Sequence, residues 1–168
     1  MNFLLRLFLT FSSISLFIIV YLVQNKINIL ENLCNFTYYI YFIIPFILTY
    51  ASILFSKLLS KSTIKKVIDI EVSNNDFLAN YLAFFFVALS IKDIITFWIV
   101  FIMTLIFTYF SRVSYFNPIF LVYGYNFYYI RTGENIKIML ITKQKLKNPK
   151  NIDKISVKRI NDYTYMEI

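Results

Sequence analysis

The sequence predicts an α-helical membrane protein with four transmembrane helices, N-in and C-in, and a small cytoplasmic β-module. That module is formed by the C-terminal segment and a strand from the 57–76 loop. Three observations predict this fold class. First, uncharged apolar stretches run over Leu7–Val23, Asn32–Ser56, Phe77–Ile91 and Ile94–Ser111. At ~1.5 Å per residue, the first, second and fourth can cross a hydrocarbon core of ~30 Å. Second, 15 of the 17 Lys and Arg residues fall on one side of these stretches, and Lys and Arg collect on the cytoplasmic side of membrane helices. Arg6, Lys57, Lys61, Lys65, Lys66, Arg112 and the nine basic residues from Arg131 to Arg159 lie inside on this reading. Only Lys26 and Lys92 lie outside, each near an acid (Glu31, Asp93). Third, the chain is 59% apolar and 15% charged, with mean hydropathy +0.65, whereas soluble domains carry about 25% charged residues.

The organisation expected is a four-helix transmembrane domain over 1–111, with helices at about 3–23, 34–56, 77–91 and 94–111 and a cytoplasmic loop at 57–76. A cytoplasmic β-rich module follows over 112–168. The first apolar run is longer than a signal-peptide core and no A-x-A site follows it, so it reads as a retained helix. Arg6 lies close enough to the inner interface to snorkel. The second helix enters through Phe36, Tyr38, Tyr39 and Tyr41, ring types that suit the headgroup level. Pro45 inside it is tolerated where neighbours satisfy the freed carbonyl. The third stretch spans roughly 22 Å, short of a full crossing, so either Lys92 snorkels while the bilayer thins or the pair forms a hairpin that does not fully emerge.

Within the 57–76 loop, Ile68, Ile70 and Val72 alternate with Asp69 and Glu71, the pattern of a half-buried strand that needs a sheet to join. After Asn117-Pro118 and Gly124 the pattern is all strand. Tyr125, Phe127 and Tyr129 share one face, Thr132-Gly133-Glu134-Asn135 is a turn, and Ile136–Thr142 is a second apolar strand. Lys154–Arg159 alternates again, and Asn161-Asp162 suits a tight hairpin with positive φ into Tyr163–Ile168. A module of about five strands is marginal alone at this size. It should lean on the membrane domain, a partner or copies of itself.

Little chemistry is available. With no His and a single Cys (Cys34), an internal disulfide is excluded and a zinc site lacks ligands. No Gly-rich phosphate loop or nucleophile elbow is present, and no ionisable residue lies between helix ends. A non-enzymatic protein without cofactors is expected. The Asn35-Phe36-Thr37 sequon carries no weight, because three-residue matches are common by chance and heavy use of Phe, Tyr, Ile, Asn and Lys, residues whose codons are AT-rich, points to a bacterial genome. Ala79, Asn80 and Ala83 on the third helix suit close helix packing, either within the chain or between copies; Thr104 and Thr108 allow the same two readings. The basic residues Lys143, Lys145, Lys147, Lys150, Lys154, Lys158 and Arg159 are the strongest polar signal. They serve as a solvated face, a contact with anionic membrane lipid, or a dock for an acidic partner. Direct nucleic-acid binding lacks any recognisable signature.

Two segments carry a family resemblance. Asp76-Phe77-Leu78-Ala79-Asn80-Tyr81-Leu82 opens the third helix. Tyr115-Phe116-Asn117-Pro118, then Gly124-Tyr125 and Lys143-Gln144-Lys145-Leu146, close the membrane domain. From about residue 64 onward the chain resembles KwaA, the small membrane subunit of the bacterial Kiwa anti-phage system. The resemblance implies a homo-oligomer in the bacterial inner membrane that senses phage attack and holds a cytosolic partner, KwaB. It carries over no catalytic residue, and Asn117, Pro118 and Gly124 transfer only as structural positions. A chain without chemistry but with a sticky cytoplasmic module suits a sensor or scaffold. A small pore-forming effector, a channel lined by Asn80, Thr104 and Thr108, and a transporter accessory subunit are the competing readings.

Overall fold

The computed structural model describes residues 3–27, 36–110, 117–149 and 154–167, apart from the side chains of residues 3–5, 77 and 80. Glu31, Cys34, the sequon at Asn35, Arg112, Tyr115, Phe116, Lys150, Asp153 and the Asn80 side chain lie outside what is described.

Among the described residues there are four long helices: α1 (Phe3–Gln24), α2 (Phe36–Ser56), α3 (Asp76–Ser90) and α4 (Ile94–Phe110). None contains Gly, and α2 runs through Pro45 without a break. Between α3 and α4 the chain turns at Ile91, Lys92 and Asp93. The Thr96 amide and hydroxyl donate to the Asp93 carboxylate at 2.8 and 3.0 Å. These bonds cap the start of α4 and hold the Asp93 carboxyl below its usual range.

Helix α1 is the hub, packing against α2, α3 and α4. It buries Thr10, Ser12, Ser13 and Ser15, small residues that let neighbouring backbones approach. The hydroxyls of Thr10, Ser13 and Ser15 donate to carbonyls three or four residues back, at 2.9, 2.7 and 2.8 Å. Towards its C-terminal end α1 stacks Tyr21 on Phe97 with ring centroids 3.9 Å apart. Phe17 and Phe101 join the same stack. Two bonds identify the ends of the bundle. Arg6 donates to the Tyr109 carbonyl at 3.2 Å, whereas Asn25 donates to the Ile91 carbonyl at 3.3 Å. Lys26 and Lys92 therefore share one end, and the start of α1 lies beside the end of α4.

The strands are β1 (Lys61–Lys65), β2 (Val67–Val72), β3 (Asn126–Thr132), β4 (Lys137–Thr142), β5 (Lys154–Arg159) and β6 (Thr164–Met166). They form one sheet ordered β1-β5-β6-β4-β3-β2. Its outermost strands, β1 and β2, are separated in sequence by Lys66 alone, whose φ is +52°. One residue cannot span a flat sheet, so the sheet curls until its edges meet. The curl encloses Ile64, Val67, Tyr128, Ile130, Ile138, Leu140, Ile155 and Val157. The opposite face of the central strands offers Phe127, Met139, Ile141 and Met166. These merge with Leu9 of α1, Ile53 of α2, Leu59, Tyr81 of α3 and Phe120 into one buried cluster. The sheet is thereby seated on the end of the bundle that carries Arg6.

Several expectations need correction. Among the described residues the module has six strands where about five were expected, because Lys61–Lys65 pairs antiparallel with β5. The face expected from Ile68, Ile70 and Val72 is broken by an irregularity between Val67 and Asp69. Val67 points inward, Ile70 is half-buried, and Ile68 and Val72 are exposed. The hairpin at Asn161-Asp162 uses no positive φ; instead the Tyr163 amide donates to the Asn161 side chain at 2.8 Å. Strand β6 spans three residues and also pairs parallel with β4. Among the described helices, Arg6–Gln24 and Phe36–Ser56 are long and apolar enough to cross a membrane, while Tyr81–Ser90 and Ile94–Phe110 are shorter. Large apolar side chains are nonetheless exposed on α2, α3 and α4, among them Phe42, Phe86, Trp98, Phe107 and Phe110. A monomer in water rarely shows so continuous an apolar surface.

Leu140 fills the curl and is fully buried. Leu140→Ala is expected to destabilise the protein by about 2–5 kcal/mol, read as a fall in detergent-solubilised melting temperature. Leu58→Ala, at a residue 78% exposed, should stay within about 0.5 kcal/mol.

Candidate functional site at the seam of helices and sheet

Asn117 lies at the centre of the seam between bundle and sheet and is 1% exposed. Its side-chain amide donates to the Thr49 hydroxyl of α2 at 2.9 Å and to the Ser12 hydroxyl and carbonyl of α1 at 3.2 and 3.3 Å. Its carbonyl oxygen accepts from the Ile119 amide at 3.0 Å. A buried amide left unpaired is costly, so this residue locks the chain entering the module against two helices at once. Tyr81 adds a second tie, donating to the Ser13 carbonyl.

Pro118 starts the short helix α5 (Ile119–Val122) with φ −58°, the angle its ring imposes. Gly124 ends it at φ +79°. The Gly124 amide bonds the Leu121 carbonyl and the Tyr125 amide bonds the Phe120 carbonyl, both at 2.9 Å, while the Phe120 and Tyr125 rings pack edge to face at 5.9 Å. This is a Schellman closure with its apolar contact. A Cβ on Gly124 would meet nothing within 4 Å, so glycine is needed for the angle and not for space. The turn aims Tyr123 back at α2, where its hydroxyl donates to the Phe46 carbonyl at 3.0 Å.

Beside this turn lies a groove of about 650 Å³, lined by Tyr50, Ile53, Lys57, Tyr123, Tyr125, Lys143, Gln144 and Glu167. The Lys143 ammonium sits 4.9 Å from the Tyr125 ring centroid. Burial pushes the Tyr125 hydroxyl above its ordinary pKa.

The structure divides the basic residues singled out from the sequence. Lys158 donates to the Leu59 carbonyl at 2.7 Å and Arg159 pairs with Asp162 at 2.6 Å, so both serve the fold. Lys143, Lys145, Lys147 and Lys154 are exposed and form no ion pair among the described residues. The strand pairing also shows what sequence reasoning missed. Lys61 lies directly opposite Lys158, and Lys65 directly opposite Lys154. Like charges facing each other across a ladder destabilise it, so a surface that keeps two such pairs concentrates positive charge against its own stability. The missing signal was β1 itself, whose Lys-Ser-Thr-Ile-Lys run holds one apolar residue.

Ala79 and Ala83 are exposed, whereas Tyr81 and Ala88 of the same helix are buried. Packing within the chain therefore does not bury the alanine pair. Thr104 and Thr108 are half-buried. Among the described residues no group of three or more Cys, Asp or Glu side chains could hold a metal ion.

A family model described as anti-phage protein KwaA matches residues 5–166. No curated protein and no solved structure matches the chain.

Asn117→Ala should cost about 1–3 kcal/mol by stranding its buried partners, measured as thermal stability in detergent, while Ser90→Ala on the exposed end of α3 should change little. Gly124→Ala forces a side chain into the left-handed region and should cost about 1–2 kcal/mol.

Proposed function

Because the chain belongs to the KwaA family of anti-phage proteins, we propose that it is the inner-membrane sensor and scaffold of a phage-defence complex. It acts without catalysis, assembles with copies of itself in the bilayer and holds a cytosolic effector on its sheet. All four helices cross the membrane on this reading, N-in and C-in. The shorter α3 and α4 cross where the bilayer thins and Lys92 reaches the outer headgroups. What supports the placement is the separation of charge. Lys26 and Lys92 share the end opposite Arg6, while the other basic residues of the described chain sit on or beside the sheet. The apolar side chains exposed on α2, α3 and α4 meet lipid and neighbouring copies, with Ala79 and Ala83 at the contact between copies.

The observation that carries the docking role is the two opposed lysine pairs on β1 and β5, Lys65 with Lys154, both exposed, and Lys61 with Lys158, whose ammonium also holds the Leu59 carbonyl. An acidic surface laid across this face relieves the repulsion that the sheet alone bears. KwaB, the partner implied by the sequence resemblance, is the effector assigned to it.

Lys61→Glu, Lys65→Glu and Lys154→Glu together should reduce capture of KwaB from detergent extracts at least tenfold and leave membrane integration unchanged. Unchanged capture would rule this face out as the dock. Lys65→Thr should also raise sheet stability, by about 0.2–1 kcal/mol, since it removes one like-charge pair. Melting curves of the purified protein test that separately.

A further inference from the structure

We propose that the groove between α2, α5 and the end of β4 seats the headgroup of an anionic phospholipid from the inner leaflet. The inference rests on the membrane placement above. Its walls change character with depth. Tyr50 lies six residues before Ser56, the last residue of α2, hence about 9 Å further into the bilayer. There Tyr50 and Tyr123 pack with ring centroids 6.0 Å apart, and Tyr50 is half exposed at 52%. Val122 of α5, 70% exposed, adds apolar surface beside Tyr123. At the level where α2 ends, the lining becomes cationic: Lys57 on one wall and Lys143 on the other.

Neither ammonium forms an ion pair among the described residues. The one acid in the lining, Glu167, is already engaged. One of its oxygens accepts from the Thr142 hydroxyl and the other from the Gln144 side-chain amide at 2.8 Å. Those neutral donors turn the Glu167 carboxylate towards Thr142 and Gln144 without cancelling its charge, and two lysines against one acid leave the lining net positive beside an aromatic slot. A free phosphate would satisfy the lysines and leave Tyr50 and Tyr123 uncovered. A lipid phosphate with its glycerol and first acyl carbons covers both, and a groove of about 650 Å³ lies in the range of small-ligand sites. Anionic lipid also belongs to the leaflet that the other basic residues face.

The test uses the full chain, purified in mild detergent and studied by native mass spectrometry with added phosphatidylglycerol or phosphatidylcholine. Phosphatidylglycerol should be retained more strongly than phosphatidylcholine. Lys57→Gln with Lys143→Gln should lower that retention about 30-fold, since each lysine near an anionic headgroup accounts for roughly fivefold. Lys145→Gln with Lys147→Gln should not lower it, and millimolar inorganic phosphate should not displace the lipid. Equal retention of the two lipids would overturn the site, as would an unaffected Lys57/Lys143 variant or displacement by phosphate alone. Alkaline extraction of the membranes is read in parallel. Release of the protein there would remove the membrane placement itself, an outcome distinct from an inserted protein that shows no lipid preference.

Discussion

The side-chain amide of Asn117 holds together pieces of chain that are far apart in sequence. By bonding Ser12 on α1 and Thr49 on α2, it fixes where the chain leaves the bundle and where the sheet begins. Pro118 and Gly124 then turn the chain within eight residues, so that Phe120, Tyr125 and Phe127 enter the same buried cluster as Leu9, Ile53 and Tyr81. The sheet is small, and a module of its size has too little interior to be secure alone. It gains the missing burial from the helix ends. Because that attachment is through α1 near Arg6, the end of α2 and the start of α3, the sheet can occupy only one end of the bundle.

This attachment explains how charge is distributed. The lysines of β1 and β5 and of the segment after β4 are carried to the same end as Arg6 and Lys57, while the turn at Lys92 is held beside Asn25 at the other. A loose basic tail would be free to spread. Here the curl of the sheet, closed by Lys66 between β1 and β2, sets lysine opposite lysine and fixes the charge to a rigid face. The same turn that seats the sheet also lines the groove between Tyr50, Tyr123 and Lys143, so the docking face and the lipid site proposed above both depend on the seam.

Much of this was legible in the sequence. Gaps in the charge pattern marked the four helices, and period-two alternation marked β3 and β5. The short segments around Asn117 and Gly124 carried a resemblance to KwaA from about residue 64 onward, which the family match extends to residues 5–166. Other features left no local signal. Strand β1 holds Ile64 among polar residues, so no alternation shows, and its pairing with β5 joins residues about ninety positions apart. The irregularity after Val67 put Ile68 on the outer face while Val67 and Ile70 both face the inner cluster, because one extra residue inverts the alternation on one side of it relative to the other. The partners of Asn117 lie 105 and 68 residues away. Local pattern cannot report such distances, and the opposed lysines and the groove were hidden for the same reason.

The central claim is that the sheet and its lysines occupy the cytoplasmic end and that the Lys92 turn faces outward. Single cysteines introduced by Lys26→Cys, Lys92→Cys, Lys66→Cys and Lys145→Cys, in a Cys34→Ser background, test it with a membrane-impermeant maleimide. The first two positions should be labelled in cells whose outer membrane alone has been permeabilised, and the last two only after the inner membrane is opened. Labelling at position 66 or 145 while the inner membrane is sealed would contradict the account.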